Sequence, residues 1–124
     1  MRDRLLVLSL LLLAVVAACF SERDATGPVE GVCSLPVGEG VPGSTLVIVR
    51  AFTFTPAELR VRPGDRVTWV NCDPDAHTST ADAGQWASPL LANGDAFTQT
   101  FDAVGDFPYH CEPHPFMTAR VIVE

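Results

Sequence analysis

Near the end of the chain, the run Tyr109-His110-Cys111-Glu112-Pro113-His114-Pro115-Phe116-Met117 is the densest group of metal-capable side chains in the sequence. Cys111, His114 and Met117 follow one another at intervals of three. Within a single strand such odd spacing would send them to alternate faces, whereas a tight loop between two strands can aim a thiolate, an imidazole and a thioether at one point. Pro113 and Pro115 restrict that loop. A further imidazole, His77, lies upstream, just after a strand-like run ending at Asn71, where a sandwich can bring it beside the last hairpin. His110 neighbours Cys111 and so points to the other strand face, which leaves it no ligand role. Alone, Cys111 and His114 would fit a structural zinc site and Met117 would fit a core. Together, two imidazoles, one thiolate and a weak thioether form the trigonal set with a long axial Met that suits one copper ion cycling between Cu(I) and Cu(II).

The elements that must position these residues are short and β-type. From Thr45 onward the runs TLVIVRAFTF, ELRVR and RVTWVN are rich in β-branched and aromatic residues. Leu59 and Val61 alternate with Glu58, Arg60 and Arg62, and Val67 and Trp69 share a face, so each strand buries one side. Pro63-Gly64-Asp65 supplies a turn. The stretch DAGQWASPLLANGD reads as a loop admitting one helical turn at most, because Pro89 and Asn93-Gly94-Asp95 interrupt it. AFTQTF, DFPYHC and MTARVIV complete six or seven strands, with Ala119, Val121 and Val123 on one face and Trp69 and Phe54 as core residues. No helical period and no internal repeat is found. The fold class that follows is all-β: a single antiparallel Greek-key β-sandwich over residues 45–124.

At this point the chain resembles a family. Phe52-Thr53-Phe54-Thr55-Pro56, Val61-Arg62-Pro63-Gly64-Asp65-Arg66-Val67-Thr68-Trp69-Val70-Asn71, His77-Thr78 and the Tyr109 to Met117 run are similar to those of the cupredoxins of the plastocyanin, amicyanin and pseudoazurin group. The two-residue gaps from Cys111 to His114 and from His114 to Met117 resemble amicyanin and pseudoazurin more than plastocyanin. The resemblance implies His77, Cys111, His114 and Met117 as copper ligands. Two positions depart from the pattern. Ala76 stands where amicyanin-like sequences often have Pro, and Glu112 stands where a hydroxyl often ties the ligand loops together.

The N-terminus carries a different message. Arg2 and Arg4 precede an apolar run from Leu5 to Ala18, too short for a membrane span, which needs roughly 18–20 residues. This is a secretory signal of residues 1–18. Val16-Ala17-Ala18-Cys19 resembles a bacterial lipobox, with lipid attached to Cys19, in preference to an ordinary cleavage beside an incidental Cys. Residues 19–44, rich in Gly, Pro and acidic side chains, then form a lipid-anchored flexible tether. Cys33 and Cys72 remain once Cys19 goes to lipid and Cys111 to metal. In an oxidising compartment a disulfide between them is preferred over two free thiols or a second metal site.

The 124 residues hold 8 Arg, no Lys and 15 acidic side chains, a net charge of −7. One small domain of that charge excludes multidomain enzymes and argues against nucleic acid, which needs clustered cations. Three His cannot build the second copper centre of a copper oxidase or nitrite reductase. The expected function is therefore that of a monomeric blue copper electron carrier, not an enzyme, at the extracytoplasmic side of a bacterial envelope. It would exchange electrons with redox proteins such as a cytochrome c, a dehydrogenase or an oxidase, with His114 as the electron portal. The alternative is a copper-delivery protein without a redox partner, against which stands the lack of Met-rich or His-rich tracts. Pro113, Pro115, Phe116, Ala76, Pro89 and Leu90 are the expected apolar surround of the His114 edge.

Overall fold

The computed structural model describes residues 31–35 and 45–124. The expected leader 1–18, the expected lipid attachment at Cys19 and most of the 19–44 segment lie outside the described residues. Among those described, no helix is long and apolar enough to cross a membrane.

Eight strands make up the domain: β1 (Leu46–Arg50), β2 (Thr53–Thr55), β3 (Glu58–Val61), β4 (Asp65–Asn71), β5 (Thr80–Ala81), β6 (Ala96–Phe101), β7 (Gly105–His110) and β8 (Thr118–Val123). They form two four-stranded sheets, in the orders β2-β1-β4-β6 and β3-β8-β7-β5. The all-β sandwich is as expected. Both sheets are mixed, however: β1 runs parallel to β4 and β3 parallel to β8, while the other pairings are antiparallel. The connections explain this. β2 passes across a two-residue break into β3 of the other sheet, and the turn at Gly64, where Asp65 N–H reaches Arg62 O at 3.0 Å, sends the chain back as β4 beside β1.

Alternation fills the space between the sheets. Val47, Val49, Phe54, Val67, Trp69, Tyr109, Val121 and Val123 all point inward and share one core with Cys111 and Met117. Trp69 Nε1 and the Tyr109 hydroxyl are both buried there, with the two rings 5.4 Å apart and edge-on. Burial lifts the Tyr109 phenol far above its ordinary range.

β1 is buried on both faces, which is why its apolar run is continuous. Its outer residues Leu46 and Ile48, with Val70, are covered by Val32 and Leu35. These belong to a short 3-10 turn, Val32–Ser34, in the segment whose composition suggested a tether. Cys33 is bonded to Cys72 with the Cα atoms 5.3 Å apart. The Arg50 guanidinium donates to the carbonyls of Val32, Cys33 and Leu35. A disulfide, a cation on three carbonyls and a buried Val32 thus fasten these residues to the first sheet.

The run TLVIVRAFTF is not one strand. It folds back at Ala51 and Phe52, both with positive φ (51° and 54°), so that Arg50 faces Thr53 across a two-residue turn. Neither residue favours that conformation, and such positions cost about 1–3 kcal/mol each unless the surroundings hold them. They are held: Ala51 N–H and Phe52 N–H donate to the two carboxylate oxygens of Asp73 at 2.6 and 3.0 Å. From residue 82 to 95 no helical turn forms. Backbone bridges pair His77 with Leu91 and Thr80 with Ala87 instead.

Candidate metal centre

Two loops at one end of the sandwich supply the site. The first joins β4 to β5 and carries His77, whose backbone N–H and carbonyl are both bonded to Leu91, at 3.1 and 2.8 Å. Asn71 knits this loop from below. Its side-chain amide donates to the carbonyls of Asp75 and Leu91, both at 2.8 Å, and its side-chain oxygen accepts from Asp73 N–H at 2.9 Å. The second loop joins β7 to β8 and carries Cys111, His114 and Met117. It closes on itself through Cys111 N–H to Met117 O at 3.1 Å and Met117 N–H to His114 O at 2.9 Å.

The loops bring three donor atoms together. His77 Nδ1 lies 3.6 Å and His114 Nδ1 3.7 Å from Cys111 Sγ, and the two nitrogens are 3.2 Å apart. A point in the plane of this triangle stands about 2 Å from all three atoms, the length of a metal–nitrogen bond. His77 and Cys111 are fully buried and His114 is half-buried. Cys111 is the free cysteine among the described residues. A neutral imidazole pair and a thiolate converging at that distance can hold a single soft or borderline cation with its ligands already in place.

The imidazole orientation has a cause. His77 Nε2 is 2.9 Å from Asp73 Oδ2. A carboxylate only accepts, so Nε2 carries the proton and Nδ1 presents its lone pair to the centre. Burial pushes the Asp73 carboxyl up, but the hydrogen bonds from Phe52, Ala51 and His77 outweigh it and hold the group below its ordinary value. The sulfur is oriented too: Thr78 N–H donates to Cys111 Sγ at 3.3 Å.

Residues 44–124 match the family of copper binding proteins described as plastocyanin/azurin. The chain belongs to this copper-binding family. Among the cupredoxin's relatives, amicyanin of Paracoccus denitrificans is 32% identical over 121 residues, covering 88% of this chain and 92% of its own. The chloroplastic plastocyanin of Tetradesmus obliquus is 37% identical over 87 residues, covering 60% of each chain. Of solved structures, a purple cupredoxin from Nitrosopumilus maritimus superposes with a TM-score of 0.62 at 27% identity, over 65% of this chain and all of that one. An oxidised amicyanin mutant superposes with a TM-score of 0.61 at 34% identity, over 69% of this chain and 87% of its own.

In this cupredoxin the structure brings His77, Cys111 and His114 together. Met117 is buried in the same core cluster as Cys111. The hydroxyl missing at Glu112 is replaced by main chain: Glu112 N–H donates to Thr78 Oγ1 at 2.8 Å, so the two loops are still tied. His110 points away from the centre, between Asp82 at 2.6 Å and Glu112 at 3.4 Å. The Asp82 hydrogen bond raises its pKa.

Three contributors escaped the sequence reading. Asp73 lies outside every motif and Asn71 was only the end of a family-like strand, and their partners lie up to 22 residues away. Phe52, itself partly exposed, packs edge-on against His114 at 5.0 Å and His77 at 5.3 Å. Of the expected apolar surround, Phe116 (71% exposed) packs against His114 at 6.1 Å. Leu90 (61%) stands exposed beside Leu91, which is bridged to His77.

Proposed function

We propose that this cupredoxin is a type 1 blue copper electron carrier, with His77, Cys111 and His114 as the trigonal ligands, Met117 as the weak axial ligand and the edge of His114 as the electron portal. The observation that carries the reading is the convergence of the three donor atoms about a common point roughly 2 Å away, on two loops already locked to each other. Copper, when bound there, takes up and returns one electron. Everything else is done by the chain. Asp73 holds His77 in the donor tautomer, the Thr78 amide partly balances charge on the sulfur, and the closed loops let the donors keep their places in both oxidation states.

Of the two imidazoles at the centre, His114 is the one that reaches the surface, and the exposed rings of Phe52 and Phe116 pack against it, with Leu90 exposed on the neighbouring segment. Such a patch sheds water easily against a partner and suits a small, short-lived contact. The partners proposed are other redox proteins, such as a cytochrome c, a dehydrogenase or an oxidase, met by a monomer. The basic start, short apolar run and Cys19 support secretion into a bacterial envelope with lipid at Cys19. Labelling with a tagged fatty acid, present in the native chain and lost in Cys19→Ser, tests the anchor independently of the metal.

The test of the centre is the visible absorption and electron paramagnetic resonance of residues 31–124 loaded with one equivalent of Cu(II), beside Cys111→Ser. An intense blue charge-transfer band with unusually small copper hyperfine splitting, absent from the variant, is the expected result. An ordinary cupric spectrum in the native chain would overturn the assignment.

A further inference from the structure

Phe52 is a bulky residue at φ 54°, a backbone conformation that such side chains rarely adopt, and it sits against the metal centre. Strained residues persist where neighbours over-determine them, and they cluster at functional sites. Here the neighbour is one carboxylate. Asp73 Oδ1 accepts Ala51 N–H, while Oδ2 accepts both Phe52 N–H and the His77 ring N–H. Asp73 is itself 5% exposed and anchored from behind, its own N–H on Asn71 and its carbonyl on Asn93. One buried group therefore fixes an imidazole directly and, through the turn, sets an aromatic ring edge-on to both imidazoles at interplanar angles of 85° and 89°.

The ring is placed to do two things. Its edge contact restrains His114, which sits on the other loop and reaches solvent. At 38% exposure it also forms part of the outer wall of the centre, leaning on Phe116 at 6.2 Å. We propose that Asp73 and Phe52 are a coupled pair of positioning residues: Asp73 locks the β1–β2 turn, and the locked Phe52 ring holds His114 in its metal-binding orientation and closes the centre to small external ligands. The assignment rests on His77 and His114 being the metal's imidazoles, and its first readout needs no metal.

In the metal-free protein, nitrogen-15 resonances report the turn and the rings. The expected result for the native chain is slow exchange of the Ala51 and Phe52 amides, a single Nε2–H tautomer at His77 and a restricted His114 ring. Asp73→Asn should speed exchange at both amides and mix the His77 tautomers. Phe52→Ala should leave the His77 tautomer alone and free the His114 ring, while Phe52→Leu, which keeps bulk, should restore part of the restraint. In the metal-loaded protein, Asp73→Asn should weaken Cu(II) binding by about 10- to 100-fold, the usual cost of losing a partner behind a ligand. Azide should perturb the thiolate band of Phe52→Ala at concentrations that leave the native and Phe52→Leu proteins unchanged. Unprotected turn amides in the native chain, or a His114 ring and azide response unchanged in Phe52→Ala, would overturn the proposal whether or not Asp73→Asn folds. Failure of the blue spectrum in the native chain would instead remove the copper reading and leave the metal-free test standing.

Discussion

The main-chain N–H of Thr78 and the Sγ of Cys111 lie 3.3 Å apart. The amide next to one imidazole thus steadies the sulfur that the other loop contributes, and the same residue's hydroxyl takes the amide next to that sulfur. Thr78 joins the loops twice, once through each kind of atom. Thr78→Val keeps the first link and deletes the second, leaving the part-buried Glu112 N–H without its acceptor. The variant is expected to lose about 1–3 kcal/mol in urea denaturation of the metal-free protein. Its Cu(II) protein should keep the thiolate band, because the amide-to-sulfur contact survives.

Asn71 is fully buried and bonds the Asp75 carbonyl and the Asp73 amide of the His77 loop together with the carbonyl of Leu91, to which that loop is bridged. Asn71→Ala strips this partner from the Asp75 carbonyl and the Asp73 amide and leaves the Leu91 carbonyl to the His77 N–H alone. The expected loss is at least about 2 kcal/mol of stability, measured by chemical denaturation, since each orphaned buried group costs about 1–3 kcal/mol. Copper affinity, followed by competition with a chelator, should fall with it, as the loop bearing His77 loosens. A variant as stable as the native chain would show that water fills the gap.

Reducing the Cys33–Cys72 bond, or replacing both residues with Ser, opens a loop whose ends are 39 residues apart in sequence. On the chain-entropy account this lowers stability by about 4 kcal/mol. Arg50 still grips the carbonyls of residues 32 to 35 in that variant. Arg50→Met in the double-Ser background should therefore uncover Val32, detected as faster amide exchange in residues 32–35.

His110 titrates above its ordinary value of 6.5 because it donates to Asp82, with Glu112 on its other side. A raised folded pKa means the native state holds the proton more tightly. The stabilising effect is fully present below the ordinary value and is lost as pH rises through the raised one. A nuclear magnetic resonance titration of His110 should show the upward displacement in the native protein and its reduction in Asp82→Asn. An unchanged His110 curve in that variant would remove Asp82 as the cause.

The β-runs and the spacing around Cys111 were readable because strand alternation and donor spacing are local properties of the chain. The turn at Ala51 and Phe52 was not. Neither residue carries a left-handed preference, and the carboxylate that holds their amides comes from Asp73, 22 and 21 positions later. The parallel pairings were hidden for a related reason, since strand direction depends on which sheet each connection enters. The double burial of β1 was legible as a continuous apolar run, yet its cover, Val32 and Leu35, sits among Gly, Pro and acidic residues that read as tether. At Glu112 the side-chain pattern pointed to a missing link, and the backbone supplied it. Backbone donors leave no mark in a sequence.

The clamp on residues 32–35 lies at one particular pole of the sandwich. Cys72 and Arg50 adjoin Asp73 and the Phe52 turn, whereas Gly64 and Phe101 meet at the opposite pole. Anything that holds the chain upstream of Gly31 therefore pulls on the pole that carries His77 and His114. At full extension the segment from Cys19 to Gly31 reaches about 40 Å, comparable to the breadth of a domain this size. Held at Cys19 as proposed above, the domain would be pulled from the pole of its candidate metal centre, and its encounters would be confined to a layer near the surface that anchors it.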